Sequence, residues 1–392
     1  MNQTFFVPLF YFGTLISSVG TFAFNLSLIA FMLKSGFHLG EASLIIGLQR
    51  FIPVLIMGLW GQYTDKWSPK ATVAVAETIA ALTSMALIFI WMGSETNYFL
   101  LASVCILRSV VVSIQVGSRS KITKLLSQES YQHNSKHAIW LNKATQGATL
   151  FGGVLGWLII LHFSLETAIY FDAFTFLLNG LIILWLPQIQ NQESEKPTLS
   201  NWKQKFTEYF SFNKRAALLD IFLAFSMMGT MAYISRIAGK DQSWAGIFMG
   251  SYGLAVWVAG YLERGFTSKY STIPYWLLLG LSFFTLGRFS EPGFMVLGVL
   301  FIRDLCYWII FHRISSYIQV DTPASKMGSI SSARLSIMIT ILALGEILVG
   351  SWSSYVSVSE ESTLRACIGF ALGGYLWFTA QGRSRVYDRP TL

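Results

Sequence analysis

The chain has 392 residues, 53% of them hydrophobic and only 12% charged, with a formal net charge of +8. A soluble domain carries about 25% charged residues, so a water-soluble enzyme or binding module is excluded and a polytopic membrane protein is implied. The basic excess does not point to nucleic acid, because the lysines and arginines lie mostly in polar connections between apolar runs.

A helix needs about 20 apolar residues to cross a bilayer. By that measure twelve spans are predicted, over 5–33, 40–63, 71–93, 98–122, 138–162, 166–187, 215–236, 242–263, 272–290, 292–318, 328–352 and 364–381. The first begins near Phe5 with no basic residue before it and no small-residue cleavage site, which predicts a retained span rather than a signal peptide. The longest polar interval divides the spans six and six. The organisation is therefore a bundle over 1–187, a linker over 188–214, a second bundle over 215–381 and a tail over 382–392. In the linker Trp202, Phe206 and Tyr209 or Phe210 recur at helical spacing among lysines, the pattern of an amphipathic helix lying in the membrane interface; a solvated linker is the alternative. The three cysteines, Cys105, Cys306 and Cys367, sit in apolar runs with no disulfide framework or zinc spacing.

Orientation follows from the bases. Of the 28 lysines and arginines, only Lys34, Arg236, Lys240 and Arg365 fall in the odd-numbered connections or at the span ends beside them; Arg50, Arg108, Lys143, Arg288, Arg303 and Arg334 lie deeper within spans, and the rest occupy the termini and even-numbered connections or the span ends beside them. The positive-inside rule then puts both termini in the cytoplasm.

Span 2 ends in Gly61–Lys70, GQYTDKWSPK, where Gly58 and Gly61 are spaced for close helix approach and Asp65, Lys66 and Lys70 leave the apolar phase. This stretch resembles the signature loop of the major facilitator superfamily, Gly-x-x-x-Asp-Arg/Lys-x-Gly-Arg/Lys-Arg/Lys, between its second and third helices. Gly61, Asp65, Lys66 and Lys70 match; Ser68 and Pro69 stand where that family prefers glycine and a base. The halves are also related: LASVCILRSVVVSIQVGSR in span 4 aligns with VLGVLFIRDLCYWIIFHR in span 10, setting Arg108 against Arg303, and span 8 ends in a shortened echo, Gly260 to Arg264. Repeated six-helix halves are what a rocking transporter is built from. The resemblance implies an all-α protein of twelve transmembrane helices in two pseudo-symmetric six-helix bundles, with Gly61, Asp65, Lys66 and Lys70 acting as a gate on the cytoplasmic side.

A finer resemblance lies in FDAFTFLLNGLIILWLP of span 6 and in Gly147, Gly152, Gly153 and Gly156 of span 5. Both look like the branch containing enterobactin-type siderophore exporters, lysophospholipid transporters and drug–proton antiporters. The antiporter pattern in span 5 normally carries a proline and a further glycine, both absent from Gly152-Gly153-Val154-Leu155-Gly156-Trp157.

Ionisable groups within the bilayer are costly and need a partner or a wet cavity. In the superfamily, helices 1, 4, 7 and 10 line the central cavity, so the resemblance puts Arg108 and Arg303 on its opposite walls. There they either grip an anionic substrate through their guanidinium forks or hold the bundle as internal ion pairs. Arg50 lies in mid-span beside Gln49 and ahead of Pro53, where substrate contact competes with pairing to a carboxylate such as Glu77 or Asp172. Lys143, Arg288 and Arg334 lie closer to span ends, where long side chains snorkel. Asp304 and Glu346 are the deep acids and the candidates for proton coupling. Asp304 follows Arg303 directly, and neighbours on a helix do not face each other; a salt bridge from Asp304 to Arg334 is the alternative. Ser17, Ser18, Thr21 and Asn25 form a polar stripe on span 1, able to donate to substrate or to join helices. Tyr307 and Trp308 are candidate cavity walls.

No nucleophile–base set, phosphate-binding glycine loop or metal-ligand spacing is present; His133 and His137 lie in a polar loop. The expectation is thus a non-enzymatic, cofactor-free secondary transporter of the inner membrane, monomeric, exporting an anionic polycarboxylate siderophore with protons as the coupling ion. A multidrug–proton antiporter or a lysophospholipid transporter is the alternative; the former predicts a cavity ruled by acids and aromatics.

Overall fold

The computed structural model describes residues 3–64, 68–92, 97–126, 144–145, 147–187, 207, 209–210, 214–239, 241–262, 272–289, 291–321 and 324–381. No strand occurs among them; the chain forms helices α1 Gln3–Lys34, α2 Leu39–Thr64, α3 Pro69–Trp91, α4 Tyr98–Leu126, α5 Ala148–His162, α6 Leu165–Trp185, α7 Lys214–Ser226, α8 Thr230–Ala238, α9 Ser243–Leu262, α10 Ile273–Leu286, α11 Phe294–Asp321, α12 Ala324–Trp352 and α13 Val358–Gln381. Seven of the described helical stretches are long and apolar enough to cross a membrane, among them Phe6–Lys34, Pro69–Trp91 and Phe294–Ser315. Their apolar residues point outward as well as inward, with Phe89, Phe99 and Phe294 all exposed. A helix apolar all round is what a lipid surroundings selects.

Spans 1 to 6 correspond to α1 to α6. Span 7 departs from the expected continuous helix. It is broken at Met227–Gly229 into α7 and α8, so spans 8 to 12 become α9 to α13. Hydropathy averages over the break; the local cause is Gly229, which adopts the left-handed region at φ 62°. Only glycine takes that conformation at little cost, and a side chain there would also strike the Gly345 carbonyl at 2.6 Å.

Ser68 and Pro69, the departures from the family loop, start α3: Ser68 caps Ala71 N–H at 3.5 Å and Pro69 opens the first turn. Proline is favoured there because its missing N–H would be unpaired anyway.

In the first half α3 packs on α4 and α6, and α1 on α5 and α6; in the second, α10 packs on α11 and α13, and α9 on α11. Between the halves the described residues meet along two seams, α2 against α12 and α5 against α9. Both lie toward the end of the bundle that carries the turns 35–38 and 353–357. In the first seam Gly40, Ser43 and Gly47 face Gly350, Ile347 and Ala343; a side chain on Gly47 would meet the Ala343 carbonyl at 2.9 Å. In the second, a side chain on Gly153 would meet Gly250 N at 2.5 Å, and one on Gly246 would meet Trp157 Cβ at 2.5 Å. The span-5 glycines thus have packing roles, with Gly152 and Gly156 set against Phe22 and Leu26 of α1.

Gly153→Leu is expected to hold the α5–α9 seam apart and lower transport at least tenfold, with membrane insertion unchanged. Crosslinking of Gly40→Cys to Ser351→Cys, adjacent across the other seam, reads closure of that end. Undiminished crosslinking in the Gly153→Leu background would show that the seams close independently.

Candidate functional site

The break in α7–α8 exposes backbone groups at both of its ends, and two charged side chains from the last two helices take them up. At the start of α8, Met231 N–H and Ala232 N–H donate to the two carboxylate oxygens of Glu346, at 3.1 and 3.0 Å. First-turn N–H groups have no partner within their own helix, and the helix dipole favours an anion beside them. At the end of α7, Arg365 donates to the carbonyls of Ser226 at 2.8 Å and Met228 at 2.6 Å. The same guanidinium is paired to Glu361, which also accepts from Arg236, and it lies over the ring of Tyr233 at 4.7 Å. Glu346 and Arg365 thus cap the break from its two sides.

Glu346 has one further partner, and it comes from the other half. Arg50 of α2 donates from Nη1 to Glu346 Oε1 at 2.9 Å, one turn beyond the Gly47 contact. Arg50 lies eleven residues into α2, about 16 Å at 1.5 Å per residue. That depth is near the middle of a hydrocarbon core about 30 Å thick. Its side chain is 34% exposed, whereas Glu346 is fully buried. Arg50 thus pairs with a carboxylate, but the acid is Glu346 rather than Glu77 or Asp172, both of which are held elsewhere.

Arg108 donates from Nε and Nη2 to Asp172 at 2.9 and 2.6 Å, and also reaches Ser84 and Thr21. It lies between the rings of Phe24 and Phe176 and is 1% exposed. Below it Glu77 gathers Arg119, Asn179 and Ser17. These two layers join α1, α3, α4 and α6, and they use Ser17 and Thr21 of the span-1 stripe. Asn25 is half-buried, with its Oδ1 free of hydrogen-bond partners among the described residues.

Arg303, the counterpart of Arg108, is also 1% exposed but turns on its own neighbour: Nε and Nη2 reach Asp304 Oδ1 at 2.8 and 2.5 Å. This corrects the expectation that adjacent residues on a helix cannot neutralise each other. The Cβ atoms diverge, but the arginine side chain is long enough to fold back. Its other option is closed, because Arg365 lies seven residues into α13 where Asp172 lies seven residues into α6, a cation in place of an anion. Arg334 pairs with Asp220, at 2.7 and 2.9 Å, and not with Asp304. Tyr209 donates to the same Asp220 and is buried; of the linker before Lys214, only Thr207, Tyr209 and Phe210 lie within the described residues.

Tyr307 and Trp308 are buried on α11, with Trp308 edge-on to Tyr252 of α9 at 5.7 Å. Gln49 is buried beside Arg50. Arg288 is exposed and lies over Phe284. In the loop, Gly61 has helical backbone near the end of α2 and Lys70 donates to the Leu186 carbonyl; Asp65, Lys66 and Lys143 lie outside the described residues. Among the described residues no group of three metal-binding side chains occurs.

Sequence reasoning missed the buried Arg119, Glu361 and Arg365 and the half-buried Arg236 as members of these networks. The break itself had one readable signal, a Gly-Thr pair interrupting an apolar span.

The profile of the Major Facilitator Superfamily matches residues 10–345. An uncharacterized MFS-type transporter of Bacillus subtilis (strain 168), YuxJ, is 21% identical over 371 residues, covering 91% of this chain and 93% of that protein. Among solved structures, the nucleoside transporter NupG superposes with a TM-score of 0.72 at 17% identity, covering 96% of this chain and 99% of that one. The human organic anion transporter MFSD10 does so with 0.70 at 15% identity, over 96% and 99%.

Proposed function

The chain belongs to the major facilitator superfamily of membrane transporters, and from that premise we propose that it carries an organic anion across the cytoplasmic membrane with protons as the coupling ion. The observation that carries the reading is the Arg50–Glu346 pair: a half-open arginine at mid-depth, bound to a buried carboxylate of the opposite half. A proton arriving at Glu346 neutralises the carboxylate and releases Arg50, whose guanidinium then takes a carboxylate of the substrate. Arg108, closed on Asp172, ties the helices of its half together, while Arg303 is closed on its own neighbour Asp304.

Polycarboxylates, citrate-type siderophores among them, are the substrate class. Both termini are cytoplasmic and the protein works as a monomer. On that orientation the α2–α12 and α5–α9 seams close the outer face, and Asp65 with Lys66 and Lys70 latches the inner face in the opposite state. Alternating access then amounts to breaking the Arg50–Glu346 bridge as the halves rock. Because the proton frees the residue that receives the anion, proton and anion are favoured in the same state and travel together. The branch resemblance implies the opposite exchange, a siderophore leaving as protons enter.

The test is citrate flux in liposomes holding the purified protein. Flux driven by an imposed pH gradient and lost in Arg50→Gln is expected. The direction relative to the gradient distinguishes co-transport from exchange. Flux that is equal with the gradient collapsed, or a cationic dye carried equally well by wild type and Arg50→Gln, would remove the proposal.

A further inference from the structure

Two buried polar atoms on α11 have no hydrogen-bond partner among the described residues: Oδ2 of Asp304 and Nε1 of Trp308. Asp304 is fully buried and Trp308 is 6% exposed. An unmade hydrogen bond at such a site costs free energy, so orphaned atoms of this kind call for an explanation. The two residues are four apart on one helix and therefore share a face, with Cβ atoms roughly 6 Å apart. Both side chains are held in place: Asp304 by the two Arg303 bonds to its other oxygen, and Trp308 by edge contacts to Tyr252 and Phe311 at 5.7 and 5.2 Å. Tyr252, on which Trp308 packs, belongs to α9, the helix that meets α5 of the opposite half. The orphaned pair thus lies beside an element of the interface between the halves, across which Arg50 also reaches.

The chemistry of the pair is selective. One atom only accepts and the other only donates. Asp304 already has its counter-charge in Arg303, so an ammonium is not required, and an ammonium has nothing to offer the indole N–H. A second carboxylate would meet the indole but be repelled by Asp304. A hydroxyl both donates and accepts, and a single oxygen can bridge the two. We infer that Asp304 and Trp308 form a hydroxyl subsite, and that the substrate is a hydroxycarboxylate: its carboxylate on Arg50, its hydroxyl between Asp304 Oδ2 and Trp308 Nε1. This rests on the reading of Arg50 as the anion-binding residue, and it adds a discriminating element that charge alone lacks. A site built around a hydroxyl rejects the analogue without one, because its buried polar atoms are again left unpaired.

The experiment compares citrate with tricarballylate, which has the same three carboxylates and no hydroxyl. Binding of each to the purified full-length protein in lipid nanodiscs is measured by calorimetry. Citrate is expected to bind at least tenfold more tightly than tricarballylate. In Trp308→Phe, which keeps the ring and loses the N–H, that preference falls below about threefold with tricarballylate affinity unchanged. Equal affinities in the wild-type protein would overturn the hydroxyl subsite and leave the anion reading standing. So would a preference that survives Trp308→Phe undiminished. If neither compound binds, the polycarboxylate reading fails and this inference falls with it.

Discussion

Glu346→Gln is expected to abolish proton-driven accumulation, by a hundredfold or more, in a protein that still folds and still binds its anion. Glutamine has the size of the native side chain and keeps one oxygen for the first turn of α8, but it carries no charge to hold Arg50. The variant therefore imitates the protonated state permanently. In the wild type, anion affinity is expected to rise as pH falls, because the proton that neutralises Glu346 makes Arg50 available. Linkage is reciprocal, so bound anion must raise proton affinity by the same factor. In Glu346→Gln both effects vanish: anion binding becomes independent of pH, and exchange of internal for external anion persists while net uphill flux is lost. Titration of citrate binding at several pH values, with counterflow measured alongside, checks this. A pH dependence that survives in Glu346→Gln would transfer the coupling role to another group, with Asp304 the first to examine. The cost to stability is modest by comparison, since one bond in three to a buried carboxylate can be kept by the amide oxygen.

Asp172→Ala is expected to produce the largest loss of stability. It leaves Arg108, 1% exposed, with only Ser84 and Thr21 as hydrogen-bond partners. Breaking a buried ion pair from one side costs about 3–5 kcal/mol, because a charge remains without compensation. Removing both charges together is far milder: Arg108→Met with Asp172→Leu should recover most of the loss. Thermal unfolding in one detergent provides the comparison, with exposed Arg288→Ala as a control expected to stay within about 0.5 kcal/mol. The double variant also bears on function. If it transports normally, Arg108 is a strut and no ligand contact; if it is stable but inactive, the substrate reaches Arg108 in another conformation.

Much of the fold is legible in the chain because lipid imposes a simple rule. Uninterrupted apolar runs locate the spans, and the loop from Gly61 to Lys70 with the Arg108–Arg303 correspondence indicates two related halves. The partners are less accessible. Arg50 and Glu346 are 296 positions apart and Arg108 and Asp172 are 64 apart, and a local pattern carries no information about which acid a buried base will meet. Symmetry helped with depth and misled on pairing, since α6 offers Asp172 where α13 offers Arg365. The hydropathy window also blurred Gly229, a single residue whose effect depends on Gly345 packing against it. Arg119 was counted with the loop bases because it lies near the end of its span, yet it is buried on Glu77.

The capped break has a consequence for how the protein is made. Met231 and Glu346 are 115 residues apart, and Arg365 lies 139 residues beyond Ser226. When the ribosome has delivered residues 216–238, neither cap exists. A lipid surroundings does not tolerate open backbone groups, and α8 alone has nine residues, about 13 Å of helix, too short to cross. The nascent segment is therefore expected to enter the membrane as one continuous helix over the 23-residue apolar stretch, its backbone paired within itself. Only after the last two spans insert can Glu346 and Arg365 replace those bonds and let Gly229 turn left-handed. The kink is thus expected to form late in maturation, and a chain ending before Glu346 is expected to retain a straight seventh helix and no place for Arg50 to dock.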